Sequence, residues 1–166
     1  MTGWQTARLT AEHNIGSFDC GVPSLNDWLT GQARRAQEAG SARTWVWTAP
    51  TDNRVVAYFS TCPTQVLRAE VTGSMAGGYN TIPAFLLARL ALDETLHGDG
   101  LGTHLLLDAL ERIVDAAGLA GGRLIVVDAI DEQAAAFYRH HGFQPVKDNP
   151  HRLVMKTATA AKTLGR

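Results

Sequence analysis

The chain has 166 residues, 45% of them hydrophobic and 19% charged, which fits one ordinary globular domain with a real core. A net charge of −1 excludes a global pull toward nucleic acid or membrane, so any anionic partner has to be met by a local patch. Cys20 and Cys62 lie far apart, the opening MTGWQTARLT lacks the layout of a signal peptide, and no apolar run reaches the ~18–20 residues of a membrane span, so the expectation is a cytoplasmic protein with reduced thiols and no membrane contact.

In chain order, WQTARLT alternates as a first strand. PSLNDWLTGQARRAQEAG reads as one helix, with Ser24 as its cap and Gly40 as its end; Leu25, Trp28, Leu29 and Ala33 share its apolar face, and Gln32, Arg34, Arg35 and Glu38 face solvent. ARTWVWTAP and RVVAYFSTCP follow as a hairpin rich in β-branched and aromatic residues. From Pro63 to Pro83 the periodicity fades into loop chemistry. AFLLARLALD has the continuous apolar character of a buried strand. After the glycine-rich HGDGLG, the apolar positions from Leu105 to Ala117 recur at helical spacing, with Gly118 as the expected stop. RLIVVDAI is a strand, DEQAAAFYRHHGF a helix capped by Asp131 and stopped at Gly142, FQPV and HRLVMKT a strand pair, and the remainder a frayed tail. This order predicts the α/β class: a mixed central sheet of six to seven strands with helices on both faces.

A strand, a glycine-rich turn and a helix N-terminus together present unpaired N–H groups and the positive end of a helix dipole to an anion. Gly98, Gly100 and Gly102 remove the side chains that would block close approach, which points to a phosphate cradle. Neither a dinucleotide-binding fingerprint nor a P-loop has this spacing.

At this point the chain resembles the GNAT superfamily of N-acetyltransferases. LALDETLHGDGLGTHLL is similar to its acyl-CoA motif, Arg/Gln-x-x-Gly-x-Gly/Ala after a strand, with His97 where Arg or Gln is usual and with Gly100 and Gly102 in place. DEQAAAFYRHHGF resembles the segment Asn-x-x-Ala-x-x-Phe-Tyr…Gly-Phe, with Asp131 in place of Asn and with Ala134, Phe137, Tyr138, Gly142 and Phe143 aligned. FDCGVPSLNDWL and IPAFLLARLALD look, more narrowly, like the GNAT toxins of bacterial toxin–antitoxin modules. The resemblance implies a GNAT domain over residues 1–157 with a flexible tail at 158–166. It implies acetyl-CoA as co-substrate, with backbone groups of Leu90, Ala91 and Leu92 pairing with the pantetheine arm and amides of Gly98, Asp99, Gly100, Leu101, Gly102 and Thr103 around the pyrophosphate; Asp131 is a weaker cofactor contact. It also implies transfer to the α-amine of aminoacyl-tRNA, a block on translation, a small DNA-binding antitoxin and a homodimer. The alternatives are an acetyltransferase for a protein N-terminus or small amine and, third, a non-catalytic CoA-binding module.

Acetyl transfer from a thioester to an amine needs a neutral amine and a proton for the departing thiolate. Tyr138, where the family keeps its acid, is the candidate donor; a tyrosine with an ordinary pKa of ~10 holds its proton at neutral pH. An α-amine with a pKa of ~7.7–8.0, lowered further by its ester, can attack with little help from a base, and Asp93, Glu94 and His97 remain open as candidates for one. Arg34, Arg35 and Arg89 are the leading candidates for RNA contact, beside Arg139, Lys147, Arg152 and Lys156 in a C-terminal third that is modestly basic; Arg89, a charge inside an apolar strand, must find a partner or a cleft. The adjacent His140 and His141, and the pair His97 and His104, do not make metal sites, and no metal is expected.

Overall fold

The computed structural model describes residues 3–166; Met1 and Thr2, with which the expected domain begins, lie outside the described residues. The elements in chain order are β1 (Gln5–Arg8), α1 (Pro23–Gly31), α2 (Ala33–Glu38), β2 (Arg43–Thr48), β3 (Ala57–Leu67), α3 (Gly73–Ala76), β4 (Thr81–Leu92), α4 (Leu101–Ala120), β5 (Leu124–Asp128), α5 (Glu132–His140), β6 (Gln144–Val146), β7 (Asn149–Lys156) and α6 (Thr157–Thr163). The strands form a mixed seven-stranded sheet in the order β1-β2-β3-β4-β5-β7-β6. β4 and β5 are parallel, which requires a crossover, and α4 supplies it. The pairs β1/β2, β2/β3, β5/β7 and β6/β7 are antiparallel.

The chain divides into two compact units. The first holds residues 1–62 and 88–109. One part of its core gathers Leu9, Phe18, Leu29, Ala33, Val46, Tyr58 and Ala91, with Leu25 and Trp28 packed on them, so the apolar stripe read along the first helix is the buried one. Another part is built on Trp47, Val56, Ala57 and Leu105, with Trp4, Leu90, Leu92, Leu96 and Leu101 around them. The second unit holds residues 63–87 and 110–166, with Val66, Ile82, Leu124, Val126, Val146 and Val154 at its centre.

Several expected boundaries are corrected. The first helix is broken at Gln32 (φ −127°), next to Gly31, whose low helix propensity makes this the weakest point of the segment. It starts without a side-chain cap: Val22 precedes it and Pro23 opens it, so the ring pre-sets the first φ at a position whose N–H would have no intrahelical partner, and Ser24 falls inside the helix rather than at its cap. β3 and β4 extend into the supposed loop, leaving Arg68–Asn80 for a 3-10 turn and the short α3. α4 runs through Gly118 to Ala120, since a glycine inside a long helix costs only about 1 kcal/mol. The residues expected to fray form α6, with Ala160 fully buried, the Thr157 hydroxyl donating to the Gly122 carbonyl at 2.8 Å, and Arg166 paired with Glu111 and Asp115.

Gly122 (φ +152°) is a strict requirement of the second unit, because a Cβ there would fall 2.7 Å from the Phe85 ring. Gly122→Ala is expected to cost about 1–3 kcal/mol through overpacking, lowering Tm by several degrees in a thermal melt. An unchanged melt would mean that the ring makes room.

Candidate active site

In the first unit, β4 ends on Leu90, Ala91 and Leu92, whose side chains alternate between the two parts of the core. After Asp93 and a 3-10 turn (Glu94–Leu96), the chain enters the glycine turn with Gly98 at φ +90° and Gly100 at φ +73°. A Cβ at either glycine would meet no atom within 4 Å, so the turn faces open space. The 20-residue α4 starts at Leu101, which brings the positive end of its dipole to the turn. Left-handed glycines, open space and a helix N-terminus suit a pyrophosphate, so the residues present fit the phosphate end of acetyl-CoA. His97 donates from Nε2 to the Leu92 carbonyl oxygen at 2.7 Å, which occupies one lone pair of that carbonyl and fixes the end of the strand. Arginine and glutamine, the usual occupants of this position, are donors as well.

Beneath the turn sits a polar hub. Asp93, 2% exposed, accepts hydrogen bonds from the Asp19 amide (3.1 Å), the Thr95 amide (3.1 Å) and the Thr95 hydroxyl (2.8 Å), while its own amide donates to Val56 (2.8 Å). Burial acts to raise its pKa, but these hydrogen bonds and the charge of Arg54 outweigh it and hold the carboxyl below the usual range. Asp19 accepts from the Gly21 amide (2.9 Å) and the Asn26 side chain (3.0 Å), and its carbonyl takes the Glu94 amide (2.9 Å). The FDCG stretch is thus a brace for the end of β4. Asp93, one of the open candidates for a base, has its lone pairs committed to this brace.

The RNA-contact candidates of this unit separate. Arg34 spends its guanidinium on the carbonyls of Thr10, Ala11 and His13 at 2.7–3.4 Å, tying down that loop. Arg35 is exposed. Arg89 is half-buried, with its guanidinium carbon 4.1 Å from the centre of the Trp28 ring, and Trp28 in turn stacks on Tyr58 at 6.1 Å.

The second unit carries Tyr138, two turns into α5 and 8% exposed, with the rings of Phe137 and Phe143 edge-on at 5.4 and 5.6 Å. Burial pushes its pKa well above the ordinary tyrosine value, so the hydroxyl keeps its proton throughout the neutral range. Asp131 caps α5 by accepting the Ala134 amide at 2.8 Å, as read from the sequence. Three of the four C-terminal cations are engaged locally: Arg139 with Glu132, Arg152 with Asp128 and Glu70, and Lys156 with the Ser74 hydroxyl. Lys147 is exposed. Among the described residues, no group of three His, Cys, Asp or Glu side chains could hold a metal, and no helix is long and apolar enough to cross a membrane.

Residues 41–145 match the acetyltransferase (GNAT) domain. The chain belongs to the GNAT acetyltransferases. Among curated proteins, this GNAT chain is 34% identical to a tRNA-acetylating toxin of Mycobacterium tuberculosis, covering 99% of both chains. Among solved structures, it is similar to AtaT complexed with acetyl-methionyl-tRNAfMet (28% identity, TM-score 0.89, 98% of this chain and 99% of that one). It is also similar to a tyrosine-to-phenylalanine mutant of AtaT bound to the C-terminus of the antitoxin AtaR and acetyl-CoA (27% identity, TM-score 0.86, 99% of each chain). The sheet is that of the GNAT fold. The sequence carries a local signal for the Asx turn in which Asp93 takes the Thr95 amide, whereas the Asp19–Asp93 brace and the Arg89–Trp28 contact join residues far apart in the chain and have none.

Proposed function

We propose that this GNAT protein is a toxin that moves an acetyl group from acetyl-CoA to the α-amine of aminoacyl-tRNA, stops translation, and is neutralised by a small DNA-binding antitoxin. The observation that carries the reading is the open glycine turn at the head of α4, a cradle for the co-substrate's phosphates. Full-length similarity to a tRNA-acetylating toxin and to the tRNA-bound and antitoxin-bound AtaT structures supports the acceptor and the partner.

In this reading residues 1–157 work as one acetyltransferase domain, since the GNAT match runs unbroken through segments of both units. Amides from Gly98 to Thr103 hold the pyrophosphate, backbone groups of Leu90, Ala91 and Leu92 pair with the pantetheine arm, and Asp131 stands near the cofactor as a secondary contact. The neutral amine attacks the thioester carbon, the C–S bond breaks as the amide forms, and Tyr138 gives its proton to the departing thiolate while the amine's surplus proton passes to solvent. Arg35 and Arg89 meet RNA phosphate, and Arg34 serves by holding the Thr10–His13 loop. The protein acts in the cytoplasm as a homodimer, which pools two modest basic surfaces into one large enough for tRNA.

The test is transfer of label from acetyl-CoA into a total charged-tRNA pool, with uncharged tRNA in parallel. Label on charged tRNA alone is expected. Label on peptides or small amines with none on tRNA would move the acceptor to the second class of substrate, and acetyl-CoA binding with no transfer at all would leave a regulatory module.

A further inference from the structure

Arg89 is placed unusually for a cation. It lies in the apolar strand β4, directly before the Leu90–Leu92 segment, and shares a face with Leu87 and Ala91, both buried. A half-buried guanidinium is costly unless something compensates it. Its neighbours are Trp28, Tyr58 and Cys62, and none is an anion at neutral pH, because burial pushes both the Tyr58 hydroxyl and the Cys62 thiol upward. Among the described residues no acidic side chain pairs with it and no acceptor takes its N–H groups. The indole of Trp28 holds the guanidinium plane through its face, a contact that leaves the donor edge unspent. Trp28 is itself held: it stacks on Tyr58, whose hydroxyl donates to the Leu25 carbonyl at 2.7 Å.

Resting on the aminoacyl-tRNA reading, we infer that the Arg89 guanidinium, backed by Trp28, is the receptor for a phosphodiester at the 3′ end of the acceptor RNA, with Trp28 as its positioning residue. The fork of an arginine matches two phosphate oxygens at once. The reactive amine of a charged tRNA is esterified to the terminal ribose, so the phosphate nearest that ribose is the anion that travels with the amine. A strand advances only ~3.3 Å per residue, which puts this receptor one step from the backbone segment proposed for the acyl-carrying arm. A guanidinium plane also gives a surface on which an unstacked terminal base can lie.

The test is the affinity of a CCA-ended RNA minihelix carrying a non-hydrolysable, amide-linked aminoacyl group, measured across a salt series for the wild type and for Arg89→Ala, Arg89→Lys, Trp28→Ala and Trp28→Phe. Acetyl-CoA binding serves as the control for folding. Arg89→Ala is expected to weaken binding about tenfold and to flatten the log–log salt slope by about 0.7, the loss of one single-strand phosphate contact. Arg89→Lys is expected to keep the slope but lose affinity, because the charge stays and the fork goes. Trp28→Ala is expected to raise KM for charged RNA more than it lowers kcat, with rescue by Trp28→Phe. Equal affinity and slope for wild type and Arg89→Ala, with acetyl-CoA binding intact, would overturn the receptor alone. A wild type that neither binds nor acetylates charged RNA would overturn the receptor and the aminoacyl-tRNA reading together. If Trp28→Ala does not fold, the two Arg89 variants still decide.

Discussion

Tyr138→Phe is expected to lower the single-turnover rate of acetyl transfer by about 10²–10⁴, the usual worth of a positioned proton donor, while acetyl-CoA binds with unchanged affinity. The ring supplies the burial and the edge-on contacts with Phe137 and Phe143, and phenylalanine keeps all of that. Only the proton is removed. The pH profile carries a second signature. The rate should rise with pH as the substrate amine loses its proton, with a midpoint near or below ~7.7–8.0. Because burial raises the pKa of Tyr138, its proton is still present there, and no alkaline fall is expected before about pH 10. Titration calorimetry for the co-substrate and a rapid-quench rate across pH 6–10 would check both. A Phe variant within about threefold of wild type, or a bell-shaped profile falling near pH 8, would remove Tyr138 from the acid's role.

Asp93→Asn should be the most damaging conservative change in the brace behind the cradle. The carboxylate serves three donors with two oxygens, Oδ1 taking both the amide and hydroxyl of Thr95 and Oδ2 taking the Asp19 amide. An asparagine offers one oxygen and turns an N–H group toward a donor, so at least one backbone amide is left facing another donor. The expected loss is about 1.5–3 kcal/mol, the range for hydrogen bonds to charged groups, together with a raised KM for acetyl-CoA as the end of β4 loosens. The acid-side sign follows from the depressed pKa of Asp93. Its contribution is present above the carboxyl's unfolded pKa and is lost as pH falls through the lower folded one, so wild type loses this stability below about pH 4. The asparagine variant, with nothing to titrate there, should show a shallower acid limb in urea melts at pH 2.5–7. Matching slopes would assign the acid sensitivity elsewhere.

What could be read from the residues alone depended on how local its cause was. α5 was legible at both ends because an aspartate cap and a glycine stop act within one turn of the chain. The succession of strand, glycine turn and helix from β4 to α4 was legible for the same reason. α1 and α2 were read as one helix because the apolar stripe continues through Gln32, and stripe continuity reports burial rather than backbone continuity. α6 was missed because its sequence carries no apolar periodicity; its order comes from Ala160 packing and from Arg166 reaching back to α4. The site shows the same division. In the sequence Asp93 stands open as a candidate base, since its partner Asp19 is 74 residues away, and Arg34 as a solvent-facing cation, since the carbonyls it holds lie on a loop more than twenty residues earlier.

β1 is four residues long, mostly exposed, and at the edge of the sheet, so burial alone holds it weakly. Thr6 lies opposite Trp47 in its pairing with β2, and both side chains donate to one oxygen of Asp108 on α4, at 2.5 and 2.8 Å. That shared oxygen works as a register lock. A slip of one residue would turn Thr6 to the other face and bring Gln5 or Ala7 opposite Trp47, so neither neighbouring pairing could rebuild the three-way contact. The two polar contacts therefore make α4 the gauge that sets the alignment of the edge strand.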